Sequence, residues 1–341
     1  MHARRLIIWY LLFFIFSILW VYISGISILI ELWGSILTYF IISYCIYFVW
    51  KKLRYKETLS FFDFFILFLY RIWLSIFLLV FLLWSFSLYN NELKPAKLPL
   101  YTISNGEKTI RFQTMSHVAS SNFYSEVRRN IFKAKKEGFV LFFEGVRPGS
   151  QESTDGFNAA IGIEFTKWLY SQLSKLYGIE AQDNAMFLNL ENDKDYNIDL
   201  DLDTIMDVYA KKQSSSNKEQ KQETLSPQIQ DIELLVQNSI DSLSPRELSI
   251  LRYINQSLMN MIIKHESLRN GIMHILGKDD IFSVILDERN TYLTQAILKS
   301  DEDKIFITYG LMHFDGVYSL LQQSDSNWKI ISQEEYQVIT R

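Results

Sequence analysis

The chain has 341 residues, of which 49% are hydrophobic and 15% aromatic, and its formal net charge is −4. Residues 91–341 carry 27 Lys and Arg against 35 Asp and Glu, a net charge of −8, so this part lacks the basic field that nucleic-acid binding requires. The only cysteine is Cys45, which excludes a disulfide or a CxxC metal or redox motif from residues 91–341.

The first 90 residues contain three long stretches without charge. Residues 6–30, 32–50 and 72–89 hold no Asp, Glu, Lys or Arg, and about 18 such apolar residues are enough to cross a bilayer. The sequence therefore predicts three transmembrane spans, at about 6–26, 33–50 and 72–89, with membrane lipid as their partner. A cleaved signal peptide is disfavoured, because the first run is too long and lacks a small-residue cleavage site.

The chain must turn between the first two spans. One helix over residues 6–50 would be about 67 Å long, roughly twice the hydrocarbon thickness. The predicted turn lies between Gly25 and Gly34, where it leaves Glu31 in water. The segment from Phe61 to Tyr70 is predicted to lie along the inner interface instead of spanning the membrane.

Lys and Arg residues flank the predicted spans on one side only. Cytoplasmic segments of membrane proteins are enriched in these residues. The sequence therefore predicts that the N-terminus and the 51–71 segment are cytoplasmic and that everything after residue 90 is extracytoplasmic. The residues that carry this prediction are Arg4, Arg5, Lys51, Lys52, Arg54, Lys56 and Arg71.

An α/β domain is predicted from about residue 108 to residue 335, after a connector at 91–107 that carries two prolines. Alternating polar and apolar residues over 109–115 predict a strand, and Ser120 or Ser121 can cap the helix that follows. The apolar run FVLFF at 139–143 is typical of a buried parallel strand. Together these elements predict a βαβ unit.

The rest of the domain alternates between helical and strand patterns. A polar, repetitive insertion at 211–230 is too poor in apolar residues to pack and is predicted to be flexible. Ser244, Pro245 and Glu247 form a capping box at the start of a long helix. The predicted elements are helices at 157–177, 244–276 and 287–298 and strands at 186–190, 305–309 and 328–331.

Three residues that could bind a metal ion or act as acids or bases each follow a predicted strand. His117 comes just after the first strand, Glu144 directly ends the second, and His313 follows the strand at 305–309. Open α/β sheets bind ligands at the carboxyl ends of their strands. Two imidazoles and a carboxylate can hold a divalent metal ion with an open catalytic position, and the same set without metal can serve acid/base chemistry.

These and other polar residues also have purely structural interpretations. A single His after a strand is more often a loop or capping residue, and for Glu144 the alternative is an ion pair at a turn near Arg147. Residues 287–290 fit the solvated first turn of a helix. His265 and His274 lie in a predicted long helix and are interpreted as structural residues. A cation site or, preferably, an exposed strand face or turn is predicted for Asn197, Asp199, Asp201 and Asp203.

Five short motifs resemble the TraB/TIKI family in their order and in their strand and helix context. The family is marked by two GxxH motifs, an intervening acidic residue and an ERN-type segment, and the resemblance covers about residues 108–335. Gly310 matches the second GxxH motif, but Thr114 stands where the first would have Gly, which puts a close approach of backbone to ligand in doubt there. The motifs are TMSHVASSNFY, FFEGV, NIDLDLD, DERNTYL and YGLMHFDG.

The resemblance implies a membrane-anchored, metal-dependent hydrolase. Some members of the family act as proteases on secreted peptides or proteins, and others are known as inhibitors of peptide pheromones. His117, Glu144 and His313 would form the metal or acid/base set around a divalent metal ion of unknown identity. The residues matching the ERN-type segment would orient the substrate or the metal ligands, and they are Glu288, Arg289 and Asn290.

Three functions follow as hypotheses. The first is an extracytoplasmic, metal-assisted hydrolase of peptide bonds, in which the metal activates water and Glu144 is a ligand or the general base. The second is a non-catalytic member of the same fold that binds and sequesters a peptide or small ligand, and Thr114 favours it. The third is a membrane-assembly or signalling component whose domain only docks a partner.

Overall fold

A computed structural model describes residues 28–53, 60–161, 174–184, 195–215, 240–275 and 279–340, together with isolated positions before and between these ranges. The chain divides into two compact units. The first comprises Met1–Tyr89 and Ser239–Ile254, and the second comprises Asn90–Asn238 and Asn255–Arg341. The first unit holds apolar helices, and the second holds a mixed α/β fold.

The first unit contains two long apolar helices, α1 (Ile28–Leu53) and α2 (Phe61–Leu88), the second of which continues into a π-helical turn at Tyr89–Leu93. Among the described residues, one helix is long and apolar enough to cross a membrane, Phe61–Leu93. The prediction of about three spans is therefore only partly matched. A shorter apolar helix, Thr38–Val49, covers the second predicted span, and the first predicted span lies largely outside the described residues.

Two details of the predicted membrane topology are wrong within the described residues. Phe61–Tyr70 does not form a separate interfacial segment, because α2 runs through Arg71 without a break, starting from Ser60, whose hydroxyl accepts a hydrogen bond from the Asp63 amide at 3.1 Å. Glu31 does not lie in a turn, since it is inside α1. Any turn before α1 falls on residues outside the described part.

The second unit is built on a six-stranded mixed sheet with the order β6-β4-β7-β2-β1-β8. The strands β6, β4, β7 and β2 are parallel to one another, while β1 and β8 complete the sheet in antiparallel fashion. A small second sheet pairs β3 with β5. The bounds of the strands are β1 Lys97–Ser104, β2 Thr109–Met115, β3 Val118–Ala119, β4 Val140–Phe143, β5 Glu180–Ala181, β6 Asp195–Asn197, β7 Lys304–Gly310 and β8 Lys329–Gln337.

Helices cover both faces of the six-stranded sheet and form two apolar cores. On one face, α3 packs Phe123, Val127 and Ile131 against sheet residues such as Phe306. On the other face, α8 and α9 supply apolar side chains such as Leu293. The described helices after residue 120 are α3 Ser121–Lys136, α4 Gln151–Ile161, α5 Leu202–Ser215, α6 Pro245–Lys264, α7 Glu266–Ile275, α8 Asp279–Lys299 and α9 Phe314–Ser324. The part of α6 up to Ile254 belongs to the first unit.

The predicted βαβ unit is present, with one strand more than the sequence suggests. β2 and β4 are parallel and joined through α3, but β7 lies between them and pairs with both. Thr114 is in register with Tyr309, and Phe143 is in register with Thr308. The carboxyl ends of three parallel strands therefore meet at one edge of the sheet, as the site prediction requires.

The predicted connector at 91–107 is wrong, because it contains strand β1. Leu98, Leu100 and Ile103 are buried, and β1 pairs with β2 on one side and with β8 on the other. Pro99 is tolerated because the pairing with β2 begins one residue later, at Leu100. The two prolines of this segment are typical of a linker, which is why the sequence does not predict the strand.

Several other predicted boundaries change. The strand predicted at 186–190 is absent at its described positions, Leu188 and Leu190, neither of which is extended in a sheet. The helix predicted at 244–276 breaks at His265 into α6 and α7, and the one predicted at 287–298 begins earlier, at Asp279. The flexible insertion predicted at 211–230 begins inside α5, which reaches Ser215, and residues 216–230 lie outside the described part.

Other boundaries agree with the sequence. The capping box of α6 is formed, since the Ser244 amide donates to Glu247 Oε2 at 2.8 Å and the Glu247 amide donates to Ser244 Oγ at 3.3 Å. Gly178 ends the helix predicted at 157–177 with a positive φ of 63°, which glycine adopts without strain. Most of that helix after Ile161 lies outside the described residues.

Candidate functional site at the carboxyl edge of the sheet

The candidate site is assembled from three strand ends. Glu144 follows β4 directly, Gly310 ends β7 and leads through a short 3-10 turn at Leu311–His313 into α9, and His117 lies two residues after β2. Because these three strands are parallel neighbours, the residues that follow them lie along the same edge of the sheet. The sequence prediction that this edge gathers the polar residues agrees with this geometry.

Glu144 is the buried centre of the site, with only 7% of its surface exposed. Its Oε1 accepts a hydrogen bond from Arg289 Nη2 at 2.5 Å, and its Oε2 accepts one from the Gly310 backbone amide at 2.6 Å. A Cβ at position 310 would lie 3.3 Å from that Oε2 and 3.4 Å from His313 Cδ2. Glycine at the end of β7 thus gives the carboxylate room to approach the backbone.

Arg289 joins Glu144 to a second buried carboxylate, that of Asp199. Its Nε donates to Asp199 Oδ1 at 2.8 Å and its Nη2 donates to Asp199 Oδ2 at 2.7 Å. Asp199 is fully buried and also accepts the Gly145 amide at 3.0 Å. One guanidinium on α8 therefore holds the end of β4 and the segment after β6 together through charge-assisted hydrogen bonds.

Electrostatic interactions outweigh burial in setting the pKa of Glu144. Burial by itself raises the pKa of this carboxyl, but the positive charge of Arg289, the electrostatic interactions with His117 and His313, and the hydrogen bond from Arg289 together bring the pKa below its ordinary value. For Arg289, burial acts to lower the pKa, and the two carboxylates raise it above its ordinary value. Glu144 and Arg289 are thus a charged pair at neutral pH.

His313 is a neutral imidazole, and a hydrogen bond determines which of its two nitrogens carries the proton. It is buried, and its Nδ1 lies 2.7 Å from Oδ1 of Asn290, which is buried as well. Because an amide oxygen only accepts hydrogen bonds, Nδ1 carries the proton and Nε2 keeps its lone pair. Burial lowers the pKa of His313 to about 4, with Arg289 and His117 acting in the same direction and Glu144 opposing them.

Asn290 is held in place by packing against α9. A Cβ added at Gly316 would collide with the side-chain amide of Asn290. The glycine of the HFDG motif therefore leaves the space that Asn290 needs in order to reach His313. The predicted ERN-type segment supplies two buried residues to the site, Arg289 and Asn290.

The other predicted site residues are placed differently. His117 is exposed, and its side chain makes no hydrogen bond or ion pair within the described part of the chain, although its charge acts on Glu144 and His313. Glu288 is half-buried, and its side chain is likewise unbonded among the described residues. Thr114 is buried and its hydroxyl donates to the Pro99 carbonyl at 2.8 Å, so this side chain is engaged by strand β1.

The alternating polar residues after β6 have separate structural roles. Asn197 Nδ2 donates to the Gly145 carbonyl at 2.8 Å, Asp201 caps α5 by accepting the Thr204 amide at 2.8 Å, and Asp203 accepts the Ser150 amide at 2.9 Å. With Asp199 bound to Arg289, the four do not converge on one point. The cation-site interpretation of these residues is therefore wrong, and the preferred one, an exposed strand face or turn, is also wrong for Asp199, which is fully buried.

The donor set fits a metal ion only in part. His313 presents a neutral imidazole whose other nitrogen is hydrogen-bonded, which is how metal-binding histidines are usually held. Each oxygen of Glu144 already accepts one hydrogen bond and retains a further lone pair. Among the residues that the structure describes, however, no three His, Cys, Asp or Glu side chains are already grouped so that they could hold an ion.

Sequence reasoning did not find the pairing of Asp199 with Arg289. No local signal distinguishes Asp199 from Asp201, since both stand between apolar residues in NIDLDLD, yet only Asp199 is fully buried. No protein-family model matches this chain. No curated protein matches it either.

The charged cluster should dominate local stability. We expect Arg289→Met to lower the free energy of unfolding by about 3 to 5 kcal/mol, because it leaves two buried carboxylates without a positively charged partner. As a control, Arg129→Met removes an exposed partner of Glu126 and should cost less than about 1 kcal/mol. Thermal or denaturant unfolding of the purified proteins measures both, and equal stability of the two variants would contradict the assignment.

The neutral state of His313 should appear in the pH dependence of stability. Its pKa of about 4 in the folded chain lies below the ordinary 6.5, so the unfolded chain takes up the proton first as the pH falls. Stability is therefore lost between pH 6.5 and 4, by up to about 3 kcal/mol, whereas the loss from Glu144 comes only below pH 4.5.

Unfolding midpoints measured across this pH range test the assignment. His313→Gln should flatten the dependence between pH 6.5 and 4, while His265→Gln, which alters an exposed histidine outside the site, should leave it unchanged. A curve for His313→Gln that runs parallel to that of the unaltered protein would show that His313 titrates like an exposed histidine.

Proposed function

We propose that this chain is a multi-pass, membrane-anchored hydrolase of the TraB/TIKI family that acts on peptides or proteins outside the cytoplasm. The observation that carries the proposal is the neutral, oriented His313 beside the buried Glu144–Arg289–Asp199 cluster. These residues come from four of the five motifs on which the resemblance rests, namely FFEGV, NIDLDLD, DERNTYL and YGLMHFDG. Four motifs that are distant along the chain therefore supply one contiguous set of contacts.

A divalent metal ion would be held by His117 and His313, with Glu144 beside them. When bound, such an ion supplies an activated water and polarises the carbonyl of the scissile bond. Nδ1 of His313 donates to Asn290, so the lone pair of this imidazole is on Nε2, the ring nitrogen that this hydrogen bond does not use. Arg289 keeps Glu144 ionised, and a pKa below the ordinary value makes this carboxylate a weak general base. We therefore assign Glu144 a ligand or electrostatic role.

A second function is favoured by the hydrogen bonds that already engage both oxygens of Glu144. Both of its oxygens already accept hydrogen bonds from Arg289 and Gly310, and the described residues lack a preformed group of three metal-binding side chains. A non-catalytic protein that binds or sequesters a peptide or small ligand would need only the carboxyl edge of the sheet and the exposed His117. This alternative and the hydrolase differ in whether a metal ion is bound.

Metal analysis of the full-length protein purified in detergent tests the hydrolase proposal. We expect one divalent ion per chain and slow cleavage of unstructured peptides, both lost in His117→Ala and His313→Ala. His265→Ala removes an exposed histidine outside the site and should retain both. Peptide binding without metal and without cleavage in the unaltered protein would overturn the hydrolase and support the sequestering function.

The topology that we propose has three spans, with the N-terminus inside and the second unit outside. Its support is the candidate span Phe61–Leu93, the apolar helix Thr38–Val49 and the excess of Lys and Arg next to the predicted spans on one side. A reporter that is active only after export should work when fused after Arg341 and fail when fused after residue 57. Activity of a cytoplasm-only reporter after Arg341 would instead indicate an even number of spans.

A further inference from the structure

Helix α3 presents a basic outer face in a part of the chain that is otherwise acidic. Its opposite side is buried in the core through Phe123, Val127, Ile131 and Ala134. We define the basic face as the exposed residues Arg128, Arg129, Phe132, Lys133 and Lys136.

The acidic residues near this helix neutralise the face only in part. Glu126 pairs with Arg129, which belongs to the face, and Glu137 pairs with Arg111 at 2.7 Å. Glu180 and Asp183 line a second surface pocket together with Arg128. Arg128 and Lys133 nevertheless make no ion pair within the described part of the chain, so the face keeps a reduced positive charge.

An apolar side chain and a groove lie within the same face. Phe132 is 53% exposed, and Lys136 Nζ stands 4.3 Å from the centre of its ring. Ser125, Arg128, Arg129 and Phe132 line an open groove on the surface of α3. The guanidinium of Arg128 and the hydroxyl of Ser125 beside an aromatic ring match a phosphate group attached to an apolar chain, while Arg129 is paired with Glu126.

The sequence joins the second unit to the candidate membrane span by a very short connection. The candidate membrane span ends at Leu93, and the first strand of the second unit begins at Lys97. A connection of only residues 94–96 holds the unit at a high effective concentration next to lipid headgroups. A basic helix face with an exposed aromatic residue is the pattern of proteins that lie on anionic membranes.

We propose that the basic face of α3 docks on anionic phospholipid headgroups, with Phe132 entering the interface. The cations contact headgroup phosphates, and the groove beside Phe132 accommodates one of them. This contact is independent of the hydrolase proposal and uses none of its residues.

Fluorescence quenching in lipid nanodiscs tests the contact with the full-length protein. The variant carries Cys45→Ser and Phe132→Cys, with an environment-sensitive dye on the new cysteine, in discs that contain spin-labelled phosphatidylcholine. The matched control carries the dye at Leu298→Cys, an exposed position on α8, which covers the other face of the sheet. Discs are compared with and without about one third phosphatidylglycerol.

The dye at position 132 should be quenched strongly only in the discs that contain phosphatidylglycerol, and salt should weaken the effect. Replacing the four cations by Gln should abolish it, with the docking equilibrium falling about fivefold for each charge removed. The dye at position 298 should remain unquenched. Equal quenching in neutral and anionic discs, or none at position 132 in either, would overturn the proposal.

Discussion

The site depends on one interaction, the hydrogen-bonded contact of Arg289 with two buried carboxylates. Through it, α8 is tied to the end of β4 at Glu144 and to the segment after β6 at Asp199, while the Gly310 amide ties Glu144 to β7. A buried guanidinium facing two carboxylates leaves a net negative charge, and the amides of Gly145 and Gly310 partly compensate for it. Removing any one partner exposes the others to the full cost of burial without a counter-charge.

This cluster sets the electrostatics of the neighbouring groups. Burial and the charge of Arg289 keep His313 neutral although the carboxylate of Glu144 lies close by. Tyr309, in the strand that carries Gly310, is buried beside the cluster and donates its hydroxyl to the Ile198 carbonyl at 3.0 Å, and burial raises its pKa. The edge of the sheet therefore offers an uncharged imidazole next to fixed negative charge, a combination suited to binding a cation or a polar substrate.

Part of this arrangement could be predicted from the sequence, because periodicity identifies buried parallel strands and parallel strands share a carboxyl edge. That reasoning placed Glu144 and His313 correctly, and the motif resemblance brought in Arg289. Pairings between distant segments carry no local signal, so the insertion of β7 between β2 and β4 and the contact of Asp199 with Arg289 were not predicted. The two prolines near β1 are typical of a connector, so the strand was not predicted, and Phe61–Tyr70, predicted to lie along the inner interface, is continuous with the rest of α2.

The protonation state of His313 tests the account most directly. Nitrogen NMR of the full-length protein labelled at its five histidines resolves the tautomer and the titration of each imidazole. The account predicts that His313 stays neutral from pH 7 down to about pH 5, with the proton on Nδ1, and that Asn290→Ala removes this preference. Titration of His313 near the ordinary value of about 6.5, or a proton on Nε2, would contradict it.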